Sequence, residues 1–180
     1  MKYAINRISK QIDRLSEWIG HLMSFLTLGM VLLTAYIVFE RYVLGESTPA
    51  LSELNWHLMT IIFLFGAGYV LKENQHVRVD LFYEKLGVRG QAWINLFGSF
   101  LFLIPFCALL IWVLLFSPDL SHSFVARAIQ TREGSPSSGG LGTFYLLKIA
   151  LPVGFGLLML QGLSEGLKSL ATLLSNEDET

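Results

Sequence analysis

Four stretches of this 180-residue chain, residues 18–39, 54–71, 92–116 and 144–163, are apolar almost throughout. A helix needs about 20 such residues to cross the hydrocarbon core of a bilayer. The second run is the shortest and carries His57 in its first turn, so its start is the least sharply marked. No charged residue falls in the middle of any of the four. The whole chain is 53% hydrophobic and 15% charged, where soluble domains run to about a quarter charged. The expected fold is therefore all-α: one domain over residues 1–180, an integral membrane protein with four transmembrane helices. The first run is too long for a cleaved signal peptide and no small-x-small site follows it, so it reads as an anchor that stays in place.

Orientation follows from the distribution of cations. Lys2, Arg7, Lys10 and Arg14 precede the first span, and Lys72, Arg78, Lys85 and Arg89 lie between the second and third. The alternate side has only Arg41 in the first connection and Arg127 and Arg132 in the third. By the positive-inside rule both termini are expected to be cytoplasmic. Ahead of the first span, Ile5, Ile8, Ile12 and Leu15 recur at helical spacing with basic residues on the other face. That pattern predicts an amphipathic interfacial helix that lies among the headgroups and bends into the span.

Several residues mark how the spans end and meet. Gly45 should break the first helix after Arg41 and Tyr42, and Ser52 and Glu53 can cap the second after Pro49. Gly66, Ala67 and Gly68 lie near the middle of the second span, while Ala150, Gly154, Gly162 and Gly166 share one face of the fourth. In lipid, small residues let helices approach closely, so both faces are candidates for helix packing. Pro105 and Pro152 should kink the third and fourth spans. The connection 117–143, with Pro136 among serines and glycines, reads as an irregular external loop: a spacer or a docking surface.

Transport or enzyme chemistry of the chain's own is harder to find. Carriers bury ionisable residues at mid-membrane, whereas Lys148 and Glu165 sit near opposite ends of the fourth span, too far apart to pair along a helix. The net charge of −1 without a basic cluster argues against nucleic acid. The single cysteine, Cys107, lies in an apolar run and offers neither a disulfide frame nor a thiolate metal site. Catalytic triads, phosphate loops and metal-ligand spacings are absent, so no enzyme and no metal or cofactor site is expected. His21 and His76 fall toward one side, His57 and His122 toward the other. Paired histidines on neighbouring helices hold b-type haem in some membrane anchor subunits of respiratory enzymes, and that is the alternative reading. Glu53 and His57, one turn apart beside Trp56, form either an interfacial cap or a contact patch.

The polar turn LKENQHVRVDLFYEKL, residues 71–86, joins the second and third spans and orders His76, Arg78 and Asp80 between apolar Val77, Val79 and Leu81. Together with Phe39, Arg41, Tyr42 and Gly45, Glu53, residues 66–71, and EGSPSSGGLG followed by LLKIALPVGFGLLMLQG, it resembles the four-helix small membrane subunit (Q-type) of tripartite ATP-independent periplasmic (TRAP) transporters. Where many relatives have two adjacent acids, this chain has Glu53 alone. The resemblance implies a non-catalytic subunit in a bacterial inner membrane, one part of a heteromeric sodium-coupled importer of an organic acid or similar small solute. A large permease subunit would carry the solute and sodium sites, and a periplasmic binding protein would deliver the solute. On that reading His76, Arg78 and Asp80 anchor the turn to phospholipid. Gly66, Gly68, Gly154, Gly162 and Gly166 pack against the large subunit. Arg41, Glu53, Arg132 and Glu133 help dock the binding protein.

Overall fold

A computed structural model describes residues 2–73, 86–116 and 123–175, and everything it describes there is helix, turn or irregular connection. Helix α1 spans Lys2–Phe39, α2 Pro49–Lys72, α3 Val88–Phe97, α4 Ile104–Leu115, α5 Phe124–Gln130 and α6 Phe144–Ser175. Two π-helical turns, Glu40–Leu44 and Gly98–Leu103, extend α1 and join α3 to α4. Four continuous helical stretches are long and apolar enough to cross a membrane: Ile5–Leu44, Pro49–Lys72, Val88–Leu115 and Phe144–Leu174. The chain is a multi-pass membrane protein.

The breaks have local causes. Gly45 ends the first helix in the left-handed region at φ 70°, with its N–H donating to the Glu40 carbonyl. A side chain at that φ would be strained, so glycine is required there. The α2 helix starts earlier than the apolar run suggests, because Pro49 at its first position needs no hydrogen-bond partner for its nitrogen. Thr48 occupies the N-cap, and Ser52 and Glu53 lie inside the first turns, not at the cap. Pro105 falls just after the π turn Gly98–Leu103, where the wider hydrogen-bond register takes up its missing N–H. Pro152 lies inside α6, which continues as helix on both sides of it.

Residues 2–17 do not form a separate surface helix. They continue α1 without interruption, so α1 has 38 residues and is about 57 Å long at ~1.5 Å per residue. Helix α6, with 32 residues, reaches about 48 Å. The α1–α2 pair is antiparallel: Thr34 meets Asn55 near one end and Glu17 meets Lys72 near the other. Beyond that second contact α1 runs on against the last turns of α6, so these two helices project together past the end of α2.

Helix α6 is the hub, packing on α1, α2, α3, α4 and α5, whereas α3 and α4 join the bundle chiefly through it. Its small residues make this possible. A Cβ on Gly154 would lie 2.9 Å from Leu64 of α2, on Gly162 2.6 Å from Leu103, and on Gly166 2.5 Å from Phe100. Gly68 of α2 returns the contact, 3.7 Å from the Leu157 carbonyl. These four glycines are therefore occupied by the chain's own helices, not left open for a second subunit, because α6 must approach neighbours on two sides. Gly66 alone of the five has nothing within 4 Å.

The folded chain is thin. Its accessible surface is 11960 Å², against about 8,800 Å² for a compact monomer of this mass. Large apolar side chains face outward on α1 (Phe25, Leu32), α2 (Trp56, Phe63) and α4 (Phe106, Trp112). Cys107, by contrast, is completely buried.

Candidate interaction surfaces

Two polar clusters, one at each end of the bundle, tie distant parts of the sequence together. At the end holding the start of α1 and the end of α6, Gln161 and Ser164 are fully buried. Ser16 Oγ donates to Gln161 Oε1 at 2.6 Å, and Gln161 Nε2 donates to Asp13 Oδ1 at 2.9 Å and to Glu165 Oε1 at 3.2 Å. The Ser164 hydroxyl donates to the same Asp13 oxygen at 2.9 Å. Lys168 closes the cluster, 2.8 Å from Asp13 Oδ2 and 2.7 Å from Glu165 Oε1. Nearby, Glu17 and Lys72 pair at 3.3 Å, which adds α2 to the same end. A partly buried carboxylate survives in such a place when charge and hydrogen bonds satisfy it, and Asp13 has both. Ser9, which is buried, contributes its carbonyl to the cluster, while its hydroxyl has no partner among the described residues.

At the other end, the 131–143 connection is folded onto the bundle. Glu53 takes the Ser135 hydroxyl on one carboxylate oxygen and the Leu141 N–H on the other, at 2.8 Å. Gly140 is packed so closely on Ser135 and Glu53 that a side chain there would collide with both. Glu133 pairs with Lys148 at 2.6 Å, and the Lys148 ammonium lies 4.3 Å from the centre of the Phe124 ring. Ser123 caps α5 through the Ala126 N–H, which fixes where that short helix begins. Glu40, buried in the π turn after α1, accepts the Thr48 hydroxyl and so closes the α1–α2 corner.

The residues expected to dock a partner thus divide. Arg41 and Arg132 are exposed, and Arg132 adopts a positive φ of 44° at the turn after α5. Glu53 instead spends its carboxylate on the loop, and Glu133, within the loop, pairs with Lys148 of α6. Lys148 and Glu165 have separate partners, as their spacing on α6 implied. His76, Arg78 and Asp80 lie outside the described residues.

The histidines do not converge. His21 is exposed near the Asp13 end, with Nδ1 2.8 Å from the Glu17 carbonyl. His57 is buried at the opposite end, its Nδ1 2.7 Å from the Glu53 carbonyl and its ring edge-on to Phe144. His57 Nε2 has no hydrogen-bond partner among the described residues. His76 and His122 are outside the described residues, and the two described histidines sit too far apart along α1 and α2 to share a haem iron. Among the described residues no group of three or more His, Cys, Asp or Glu side chains gathers to hold a metal ion.

Sequence reasoning missed the Asp13 cluster and Glu40 entirely. Asp13, Gln161 and Lys168 are unremarkable residues on the polar side of two amphipathic segments. Only the 3.6-residue register of Ser9, Asp13 and Ser16 opposite Gln161, Ser164 and Lys168 hinted that two polar stripes could match.

Comparison with known proteins supplies the wider context. The family described as "Tripartite ATP-independent periplasmic transporters, DctQ component" matches residues 30–172. The "Ectoine TRAP transporter small permease protein TeaB" of Halomonas elongata is 26% identical over 150 residues, which cover 82% of this chain and 72% of that protein. No solved structure matches the chain.

Proposed function

The chain belongs to the DctQ family and is the small permease subunit of a TRAP transporter, and from that premise we propose that it supports a large permease subunit that performs the transport. The family match over residues 30–172 carries this reading. The packing agrees with it. Charged side chains cluster at the two ends of the bundle, where they hold helices and a loop, and among the described residues none is placed midway along a span as a moving ion would need.

The complete assembly is proposed to be a sodium-coupled importer in a bacterial inner membrane. Both ends of this chain face the cytoplasm, and a periplasmic binding protein docks from the other side. TeaB is named for ectoine; the solute proposed here is an organic acid or a comparably small polar molecule. The large subunit covers part of the outward apolar surface of α1, α2 and α4, and of the five packing glycines Gly66 is the one still open to it. Arg41 and Arg132 offer charge to the binding protein, while Glu53 and Glu133 keep the intervening loop in shape. The amphipathic start of α1 meets the lipid surface, and His76, Arg78 and Asp80 hold the 74–85 turn there.

Reconstitution tests the proposal. Co-expression with the large subunit gives a stable complex that takes up solute with a sodium gradient and the binding protein present. Full uptake by the large subunit and binding protein alone refutes a required role for this chain.

A further inference from the structure

Residues 5–22 of α1 have three distinct faces. One is clamped: Ser9, Asp13, Ser16 and Gly20 lie against α6 and α2. A second is apolar and bare, with Ile8 at 48%, Leu15 at 42%, Trp18 at 66% and Leu22 at 48% exposure, one or two turns apart. The third carries Arg7, Lys10 and Arg14 at helical spacing, all exposed. Among the described residues no carboxylate pairs with these three cations, since Asp13 is held by Lys168 and Glu17 by Lys72. The family match begins only at residue 30, so this region is outside it.

The bare stripe is continuous with the outward apolar face of the spanning part of the same helix, where Phe25 and Leu32 lie. Yet α1 runs about 22 Å past its contact with the end of α2 at ~1.5 Å per residue. The headgroup layer on each side of a bilayer is only about 5–8 Å deep. Standing upright, the projection would carry Ile8, about 14 Å beyond that contact at ~1.5 Å per residue, into water, beside three cations that pair with no carboxylate among the described residues.

From these faces we infer that α1 is tilted as a whole, so that its projecting part rests against the leaflet, where it selects anionic phospholipid. Ile8, Leu15 and Trp18 enter the boundary between headgroups and acyl chains, while Arg7, Lys10 and Arg14 bind lipid phosphates. The Asp13–Gln161–Lys168 cluster sets the rotation of the helix, so that the apolar stripe faces lipid while the basic one reaches headgroups. Charge complementarity favours an acidic leaflet: each cation near such a surface multiplies binding about fivefold, and the attraction falls off within a Debye length. The inference rests on the lipid-surface reading of this helix above, and adds which lipid it reads and which residues read it.

The full chain in nanodiscs provides the test. A bimane label on an Ile8→Cys variant, in a Cys107→Ala background, is expected to be quenched by shallow doxyl-labelled lipid and shielded from aqueous iodide. Quenching by iodide, or shielding from both, overturns the lipid placement. The second arm needs no label. Adding phosphatidylglycerol to the detergent-solubilised native chain should raise its unfolding midpoint, and phosphatidylcholine should not. The Arg7→Gln/Lys10→Gln/Arg14→Gln variant should lose at least tenfold in apparent affinity for phosphatidylglycerol. An equal response of native and variant chains overturns the choice of lipid. Both arms omit the large subunit, so their failure is separate from failure of the uptake experiment.

Discussion

The two ends of the bundle use the same chemistry for different tasks. At the Asp13 end, carboxylate, ammonium, amide and hydroxyl join two long helices, with Gln161 and Ser164 fully enclosed. At the Glu53 end, similar groups fasten a loop to helix ends, and the Glu133 side chain in the Lys148 pair remains 41% exposed. Water reaches the ion pairs at both ends, since the Lys168 side chain is itself 36% exposed, but not the enclosed amide and hydroxyl at the first. The same hydrogen bond therefore sets helix register at one end and only loop shape at the other. Loss of one partner is serious where the remaining groups stay dry, and mild where solvent replaces it.

That contrast orders the expected effects. Asp13→Ala removes one acceptor each from the Gln161 amide and the Ser164 hydroxyl and one of the two carboxylates on Lys168, and should destabilise the chain by about 3 kcal/mol. A thermal midpoint in detergent equal to that of the native chain would erase the distinction between the ends. Gly162→Leu, at the same end, forces a side chain into Leu103 and is expected to cost about 2 kcal/mol. Free accommodation would mean that α3 and α4 can move off α6. Lys148→Met should cost under about 1 kcal/mol, since a partly exposed pair contributes little, and the difference should shrink further in high salt. Glu53→Gln is expected to leave the midpoint unchanged and raise protease cleavage within residues 131–142 several-fold. A lowered midpoint there would show that the loop belongs to the cooperative core.

Much of this architecture is legible in the sequence because lipid imposes length and polarity on each span. The four runs, the break at Gly45 and the separate fates of Lys148 and Glu165 follow from spacing along a single helix. The errors concern partners. The glycine faces of α2 and α6 announced close helix contact, but a sequence does not say whose helix arrives, and here Leu64, Leu103 and Phe100 of the same chain fill that place. Glu53 has the residue type and position of a cap, yet the loop that returns about 80 residues later offers its carboxylate better geometry. Ser16 and Gln161 are 145 residues apart, and no local pattern joins them. The continuity of α1 was obscured for another reason: a change from amphipathic to wholly apolar looks like a boundary between helices, although the backbone needs no break there.

The role of α6 as hub also has a consequence in time. Among the described helices it is synthesised after all the others, and α3 and α4 make their main contacts with it. From the end of α4 to the end of α6 is roughly 60 residues, or about 3–12 s of translation at bacterial-to-eukaryotic rates. During that interval the third span sits in the bilayer beside an α1–α2 hairpin it scarcely touches. A ribosome that stops before residue 144 therefore leaves the membrane with loose helices, and assembly of the whole bundle waits for its final segment.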